Sequence, residues 1–154
     1  MKEKMTVEKA AELLGQGFHC SQVVMWHTAD FLGLDKKQAL KFSGGLGGGC
    51  FHGDVCGVVS AAVVSLSMKY GYNEPYSAEQ NAIMVDKIHE FEKRFTQKHG
   101  TLLCRELLGG YSFSIPEQAE QIMAGGLTGI IKNCPVFCAD ACDILDDMFA
   151  EAEN

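Results

Sequence analysis

Apolar residues recur three and four positions apart along most of the chain, the spacing that lines one face of an α-helix. The pattern predicts about eight helices joined by short connections, with no internal repeat and no long linker. The predicted helices begin near Val7, Cys20, Lys36, Asp54, Ser77, Thr101, Ser114 and Asn133.

Residues that favour helix ends support these boundaries. An N-cap side chain accepts a hydrogen bond from the first turn, and glycine adopts the left-handed conformation in which many helices end. The predicted N-caps are Thr6, Asp35, Asp54 and Thr101, with capping boxes at Ser77 and Gln80 and at Ser114 and Glu117. The predicted stops are Gly15, Gly33, Gly71 and Gly100.

The stretch DVCGVVSAAVVSLSMKYG, residues 54–71, is apolar on nearly every side. Its valines are compatible with a strand, but a length of about 16 residues favours a helix. A helix that is apolar all round is a buried one, so we predict that this helix lies at the centre of the fold. The chain is therefore expected to be all-α, a compact single-domain bundle spanning residues 1–154.

Composition and charge narrow the classes of function. Apolar residues make up 47% and charged residues 21% of the chain, which argues against disorder. The net charge of −7 repels phosphate backbones, so we expect no nucleic-acid partner. No apolar stretch is long enough to span a membrane, and the first residues lack the apolar run of a signal peptide. We expect no membrane partner and a cytoplasmic location.

Seven cysteines are many for such a protein. Thiols in the cytosol are kept reduced, so a purely structural disulfide framework is the weaker interpretation, and an odd number leaves at least one thiol unpaired. Redox chemistry or metal binding is the stronger interpretation.

Four of the cysteines lie at predicted helix starts: Cys20, Cys56, Cys104 and Cys134. The first turn of a helix offers free N–H groups and a partial positive charge, and both stabilise a thiolate. We therefore predict lowered thiol pKa values at these positions. The alternative is that each cysteine is a small buried apolar residue without a chemical role.

The stretches FHCSQVV, GGLGGG, VCGVVSAAVVSLSMKYG, LLCRELLG and NCPVFCADACDIL resemble the redox-active protein family named for its C…GCAxxG…C…C pattern. The resemblance runs from about Thr6 to Met148 and implies that Cys20, Cys56, Cys104 and Cys134 are the four cysteines of that pattern. The chain departs from it after Cys56, where Val58 and Ala61 replace smaller residues and are expected to push a packing neighbour away.

The glycine-rich stretch SGGLGGGCFHGDVCG, residues 43–57, is predicted to shape the site. It follows no predicted strand and lacks the spacing of a nucleotide-binding loop. We expect Gly47, Gly48, Gly49 and Gly57 to allow a close backbone approach, so that a cofactor or reactive centre contacts this loop. Cys50 is predicted to be a resolving or additional thiol.

Metal binding is the second hypothesis. Four thiolates from Cys20, Cys56, Cys104 and Cys134 would suit Zn²⁺ or an iron–sulfur cluster if the helix starts converge, with His52 as a further ligand. No C-x-x-C pair supports this. His19 and His52 are each expected either to influence a neighbouring thiol or to have no role.

Cys138 and Cys142 lie four and eight residues after Cys134, so the three cysteines share one face of the predicted last helix. Residues four apart on a helix have Cβ atoms about 5–6 Å apart, too far for a disulfide. Core packing is the favoured interpretation for both.

Three functions are therefore carried forward. The first is a thiol redox protein in which Cys56 attacks and one of Cys20, Cys104 and Cys134 resolves. Its expected partner is a redox protein, a small-molecule thiol or another electron donor. The second is a metal or cluster protein. The third is a non-catalytic helical interaction module, which predicts that the four cysteines lie far apart. A homodimer is compatible with all three.

Overall fold

The helical pattern is realised as eight α-helices in the part of the chain that the computed structural model describes, residues 3–153. This part contains no β-strand, and the prediction of an all-α fold is confirmed. None of its helices is both long and apolar enough to cross a membrane. The helices are α1 (Val7–Gly15), α2 (Cys20–Leu32), α3 (Lys36–Ser43), α4 (Gly57–Tyr70), α5 (Ala78–His99), α6 (Cys104–Leu107), α7 (Pro116–Ala124) and α8 (Cys134–Ala152).

The predicted central helix is α4, which packs against α2, α5 and α8. Val58, Ala62 and Leu66 of this helix are fully buried. A buried hydrogen bond of 2.9 Å joins the hydroxyls of Thr28 on α2 and Ser65 on α4. Because buried polar groups need partners, this bond favours one alignment of the two helices. That alignment brings the starts of α2 and α4 together.

Several predicted helix ends are confirmed. The Thr6 side chain accepts a hydrogen bond from the Lys9 N–H at 3.0 Å, and Asp35 caps α3 through the Gln38 N–H. Gly33 and Gly100 end α2 and α5 in the left-handed conformation. At these positions local sequence chemistry is sufficient, because each cap involves residues within one turn of the helix end.

The predicted N-caps Asp54 and Thr101 are wrong. Helix α4 begins at Gly57 with Cys56 as its N-cap residue, and α6 begins at Cys104 with Leu103 in that position. The reason is tertiary. Residues 54–56 and 102–104 lie side by side in an isolated antiparallel bridge, so both segments are extended where helix starts were predicted.

Both predicted capping boxes are also wrong. Ser77 donates its hydroxyl hydrogen bond to the Glu74 carbonyl, and Gln80 donates to the Tyr70 carbonyl across the preceding turn. Helix α7 begins at Pro116 after Ile115, and the Ser114 hydroxyl pairs instead with that of Ser112. In each case, the side chains bond to residues that precede the helix instead of to its first turn.

Candidate functional site

The four predicted cysteines line one cavity of about 110 Å³. The scattered arrangement that a purely structural role predicts is therefore not the arrangement in the structure. The remaining walls are aromatic and aliphatic, apart from a histidine and two glycines. The lining residues are Leu14, Gly17, Phe18, His19, Cys20, Gly48, Cys56, Cys104, Leu107, Leu108, Phe113, Met123, Ile131, Cys134 and Phe137.

Cys20 and Cys56 meet where α2 and α4 begin. Cys20 is the first residue of α2, and Cys56 is the N-cap residue of α4. Gly57 makes the approach feasible, since a Cβ atom built on it would lie 2.7 Å from the Cys20 Sγ and 2.9 Å from the Leu46 carbonyl oxygen. The glycine after Cys56 is thus required because a sulfur occupies the space of its missing side chain.

Cys104 is brought beside Cys56 by the antiparallel bridge. The Cys56 N–H donates to the Leu102 carbonyl at 2.7 Å, and the Cys104 N–H donates to the Asp54 carbonyl at 2.7 Å. Cys134 arrives from a different direction, at the first residue of α8 next to Pro135. The start of α8, predicted from the Asn133 and Pro135 signals, is confirmed.

The glycine-rich stretch forms a turn of left-handed backbone above the site. Gly48, Gly49, Cys50 and Phe51 have φ angles of 60°, 62°, 56° and 57°. Glycine adopts this conformation readily, whereas the two other residues are strained in it. The turn directs the Gly48 N–H to the Cys20 sulfur.

Neighbouring side chains fill most of the space beside the predicted site glycines. A Cβ on Gly47 would lie 2.7 Å from the His19 Cβ, and one on Gly48 would lie 2.7 Å from the Phe113 ring. Gly49 folds against the backbone of Asp54. Gly48 lines the cavity, while Gly47, Gly49 and Gly57 let the surrounding elements approach one another. Their predicted contact with a cofactor stays a prediction.

The Cys20 thiol is the acidic one. Its pKa is lowered to about 7, mainly by the hydrogen bond from the Cys56 side chain, with further hydrogen bonds from the N–H groups of Gly48, Ser21 and Val58. Burial opposes this change but is outweighed. Cys20 therefore carries a substantial thiolate fraction at neutral pH, as its helix-start position predicts.

The other three thiols have raised pKa values, contrary to the prediction from their helix starts. In Cys56, the cause is the hydrogen bond to Cys20 and then burial. Burial raises the pKa of Cys104 to about 12 and raises that of Cys134 further. A thiolate loses hydration on burial, and these positions lack the set of N–H donors that compensates Cys20.

Three further predicted residues lie at or near the site. His19 lines the cavity, and burial lowers its pKa, which keeps its imidazole neutral at pH 7. Cys50 and His52 are exposed and do not line the cavity; the His52 Nδ1 pairs with the Cys50 carbonyl at 2.9 Å.

Cys138 and Cys142 belong to the core, as favoured from the sequence. Both are fully buried on α8. The Cys138 Sγ lies 3.9 Å from the Cys20 carbonyl oxygen, so it supports the first turn of α2 from below. Burial raises the pKa of Cys138, which leaves it a neutral thiol.

The metal-binding hypothesis requires at least three ligands at bonding distance from one point. Among residues 3–153, no group of three or more His, Cys, Asp or Glu side chains has that arrangement. The four cavity thiols would have to move closer together to share an ion. As described, they surround a space and do not converge on a centre.

The apolar walls of the cavity were not predicted from the sequence. Leu107 and Leu108 lie three and four positions after Cys104, and Ile131 and Phe137 lie three positions either side of Cys134. An apolar residue one turn further along a helix shares the face of the cysteine, so the spacing of Leu107 and Phe137 was a usable signal, whereas Ile131 precedes α8. Phe113 and Met123 carried no such signal, because they come from segments that contain no cysteine.

The chain matches the protein family described as "Putative redox-active protein (C_GCAxxG_C_C)" over residues 18–148. Val58 and Ala61, where it departs from the pattern, are fully buried, and α4 still packs against α2. No curated protein and no solved structure matches the chain. With most of its length matched and its four pattern cysteines lining a single cavity, the chain belongs to this redox-active protein family.

Proposed function

We propose that the protein carries out dithiol–disulfide exchange, with Cys20 as the attacking thiolate and Cys56 as the resolving thiol. The observation that carries this proposal is that both thiols line one cavity at the adjoining starts of α2 and α4, with the missing side chain of Gly57 leaving room for the Cys20 Sγ. The low pKa of Cys20 supports it. A thiolate that already holds a second thiol as its hydrogen-bond donor needs little movement to form a disulfide with it.

These roles reverse the expectation from the sequence, in which Cys56 attacks. Cys20 receives hydrogen bonds from three backbone N–H groups, whereas Cys56 receives one, from Val58. The charge therefore favours Cys20 as the nucleophile, and residue 20 as a whole is also more exposed than the buried Cys56.

The exchange proceeds in two balanced steps. The Cys20 thiolate attacks one sulfur of a substrate disulfide, whose S–S bond breaks and releases a thiolate. The Cys56 thiol then attacks the Cys20 sulfur of the mixed disulfide, which releases the second substrate thiolate. The Cys56 proton leaves with one of the products. The protein is oxidised by two electrons and the substrate disulfide is reduced by two.

Cys104 and Cys134 are proposed to act after this exchange. Both line the same cavity, and each interacts electrostatically with Cys20. Their raised pKa values keep them protonated at neutral pH, so they compete poorly for the first attack. They are the two thiols available to receive the disulfide from the first pair.

A reducing compartment suits this chemistry. The proposed exchange starts from reduced thiols at Cys20, Cys56, Cys104 and Cys134. Cytosolic reductants maintain such thiols. We therefore retain the cytoplasm as the proposed location.

The test is oxidation of the reduced protein with one equivalent of a small disulfide, followed by peptide mapping with mass spectrometry. The expected product is a Cys20–Cys56 disulfide, and it should also form in Cys104→Ser and Cys134→Ser variants. Cys50→Ser is the matched control that removes a thiol outside the cavity. In the Cys104→Ser and Cys134→Ser variants, which cannot pass the disulfide on to that pair, oxidation that does not link Cys20 to Cys56 would disprove the proposal.

Anaerobic zinc titration separates this function from the metal-binding alternative. Exchange chemistry predicts no tight zinc complex that depends on Cys20, Cys56, Cys104 and Cys134 together. A stoichiometric complex lost in all four single variants would favour the metal-binding function instead.

A further inference from the structure

We propose that the substrate of this site is a small, uncharged disulfide with apolar arms, one of which enters the cysteine cavity. The inference rests on the proposed exchange function and adds the chemical class of the substrate. It follows from three features of the cavity: its walls, its lack of charge and its size.

The walls are apolar on every side of the sulfurs. Phe18 precedes the start of α2, Leu107 and Leu108 follow Cys104, and Phe113 and Met123 come from segments that contain no cysteine. Binding of methylene and methyl groups to such walls is favourable, and each methylene group that is buried on binding raises the affinity about fourfold. A polar arm would lose its water without gaining a partner.

Apart from the Cys20 thiolate, no charged side chain lines the cavity in the described part of the chain. Apart from the four thiols, the only titratable lining group is His19, whose imidazole is neutral because burial lowers its pKa. The Cys20 thiolate is itself negative. A disulfide that carries carboxylates would therefore meet a like charge and no cation. Peptide-sized thiols with several carboxylates do not fit this site.

The cavity of about 110 Å³ admits a short chain and excludes a folded protein segment. Met123 lies at the edge of this cavity and is 57% exposed, so it marks the side from which a ligand enters. One arm of a small disulfide fills the space inside while the second arm and its leaving thiolate remain near this edge. That placement lets the leaving group escape to water.

The test compares three disulfides of nearly equal size: dipropyl disulfide, bis(2-hydroxyethyl) disulfide and 3,3′-dithiodipropionate. They differ only in a terminal methyl, hydroxyl or carboxylate. Single-turnover oxidation of the reduced protein is followed with each disulfide. Each rate is divided by the rate at which the same disulfide reacts with a small thiol in solution, which corrects for the intrinsic reactivity of that disulfide. We expect the hydroxyl compound to react about tenfold more slowly than the dipropyl compound, and the dicarboxylate slower still.

A positive charge introduced at the edge of the cavity should change the relative rates of these disulfides. Met123→Lys places a cation beside the cavity and should raise the normalised rate of 3,3′-dithiodipropionate by about tenfold relative to dipropyl disulfide. Met68→Lys is the matched control, because Met68 is 50% exposed and lies outside the cavity. This control adds the same charge to the whole protein and should leave the ratio unchanged.

The two proposals fail differently. Equal or faster normalised reaction of the hydroxyl or carboxylate compound would overturn the apolar substrate, while the Cys20–Cys56 disulfide that forms would uphold the exchange function. An equal response to Met123→Lys and Met68→Lys would also overturn it. If none of the three compounds oxidises a protein whose Cys20 is still alkylated rapidly by iodoacetamide, both proposals fall.

Discussion

At the scale of single residues, one thiol of this cavity is acidic and its three neighbours are not. All four lie at or next to a helix start, so the helix dipole does not distinguish them. The difference is the number of donors: Cys20 has three backbone N–H groups and the Cys56 thiol, while desolvation is the largest influence on Cys104 and Cys134. Hydrogen bonds to the charged form outweigh burial only where several converge.

Cys56→Ala should make Cys20 less acidic, because it removes the hydrogen bond that contributes most to the lowered pKa. In the wild type, alkylation of Cys20 by iodoacetamide should rise with pH and reach half its maximum near pH 7, since the thiolate is the reactive form. In the variant the midpoint moves towards the ordinary value near 9, and the rate at pH 7 falls about tenfold or more.

Mass spectrometry of the Cys20 peptide across a pH series measures this midpoint. Cys50→Ala serves as the control, because it removes an exposed thiol that does not line the cavity. An unchanged midpoint in Cys56→Ala would contradict the assignment of Cys56 as the main donor.

Gly57→Ala should separate the reactive pair. The added Cβ would overlap the Cys20 Sγ and the Leu46 carbonyl oxygen, so the sulfur must shift away from Cys56. We expect disulfide formation at Cys20 to slow by about tenfold or more, and stability to fall by about 1–3 kcal/mol from overpacking.

Gly15→Ala is the matched control for Gly57→Ala. Gly15 lies in α1, and a Cβ there meets no atom within 4 Å. Alanine favours the helix, so this variant should be at least as stable as the wild type and should oxidise at the wild-type rate. Stopped-flow oxidation and urea unfolding measure both effects. Equal behaviour of the two variants would show that the sulfur does not depend on Gly57.

At the scale of elements, the site depends on two short segments that are not regular helices. The antiparallel bridge joins residues 54–56 to 102–104 and holds Cys104 beside Cys56. The left-handed turn from Gly48 to Phe51 supplies an N–H donor to Cys20. Non-glycine residues in such a turn cost about 1–2 kcal/mol each, so the turn stores strain next to the reactive thiol.

Substitutions at Cys50 should reveal that strain. The side chain is exposed, so its replacement changes few contacts, and stability should follow backbone preference. From most to least stable, we expect Cys50→Gly, Cys50→Asn, wild type and Cys50→Val. The free energies of unfolding of the first and last should differ by about 1–2 kcal/mol. Urea unfolding under reducing conditions measures the order. A valine variant as stable as the glycine variant would contradict a strained turn.

At the scale of the whole molecule, the buried thiols couple stability to pH. Cys104 has a pKa of about 12 in the folded protein and near 9 in the unfolded chain. Between these two pH values, the folded state therefore binds more protons than the unfolded state. The free energy of unfolding falls as pH rises from about 9 towards 12. Cys20 affects the pH dependence of stability in the opposite direction. Its pKa of about 7 in the folded protein stabilises the fold above pH 9, and this stabilisation is lost as pH falls through 7.

Cys104→Ala should flatten the loss of stability above pH 9. Removal of one buried thiol removes up to about 1.4 kcal/mol per pH unit from the slope of unfolding free energy. Urea unfolding in reductant at pH 8, 9 and 10 measures the slope. Cys50→Ala, which removes an exposed thiol, is the matched control and should keep the wild-type slope. Identical slopes in all three proteins would disprove the coupling.

Local patterns along the chain are sufficient to predict the helices, the buried central helix and the four cysteines that line the cavity. Helical periodicity, the caps at Thr6 and Asp35, and the stops at Gly33 and Gly100 act within one turn of the chain, so local chemistry is enough to define them. The position of Cys20 at a helix start also led to the correct direction of its pKa.

Packing in three dimensions sets which of the four thiols is acidic and which residues surround it. The extended bridge replaced the predicted caps at Asp54 and Thr101, and every donor to Cys20 except Ser21 comes from a segment distant in sequence. The walls at Phe113 and Met123 arrive from segments without cysteine. Desolvation and hydrogen bonding depend on what lies within a few ångströms in space, and no local pattern encodes that environment.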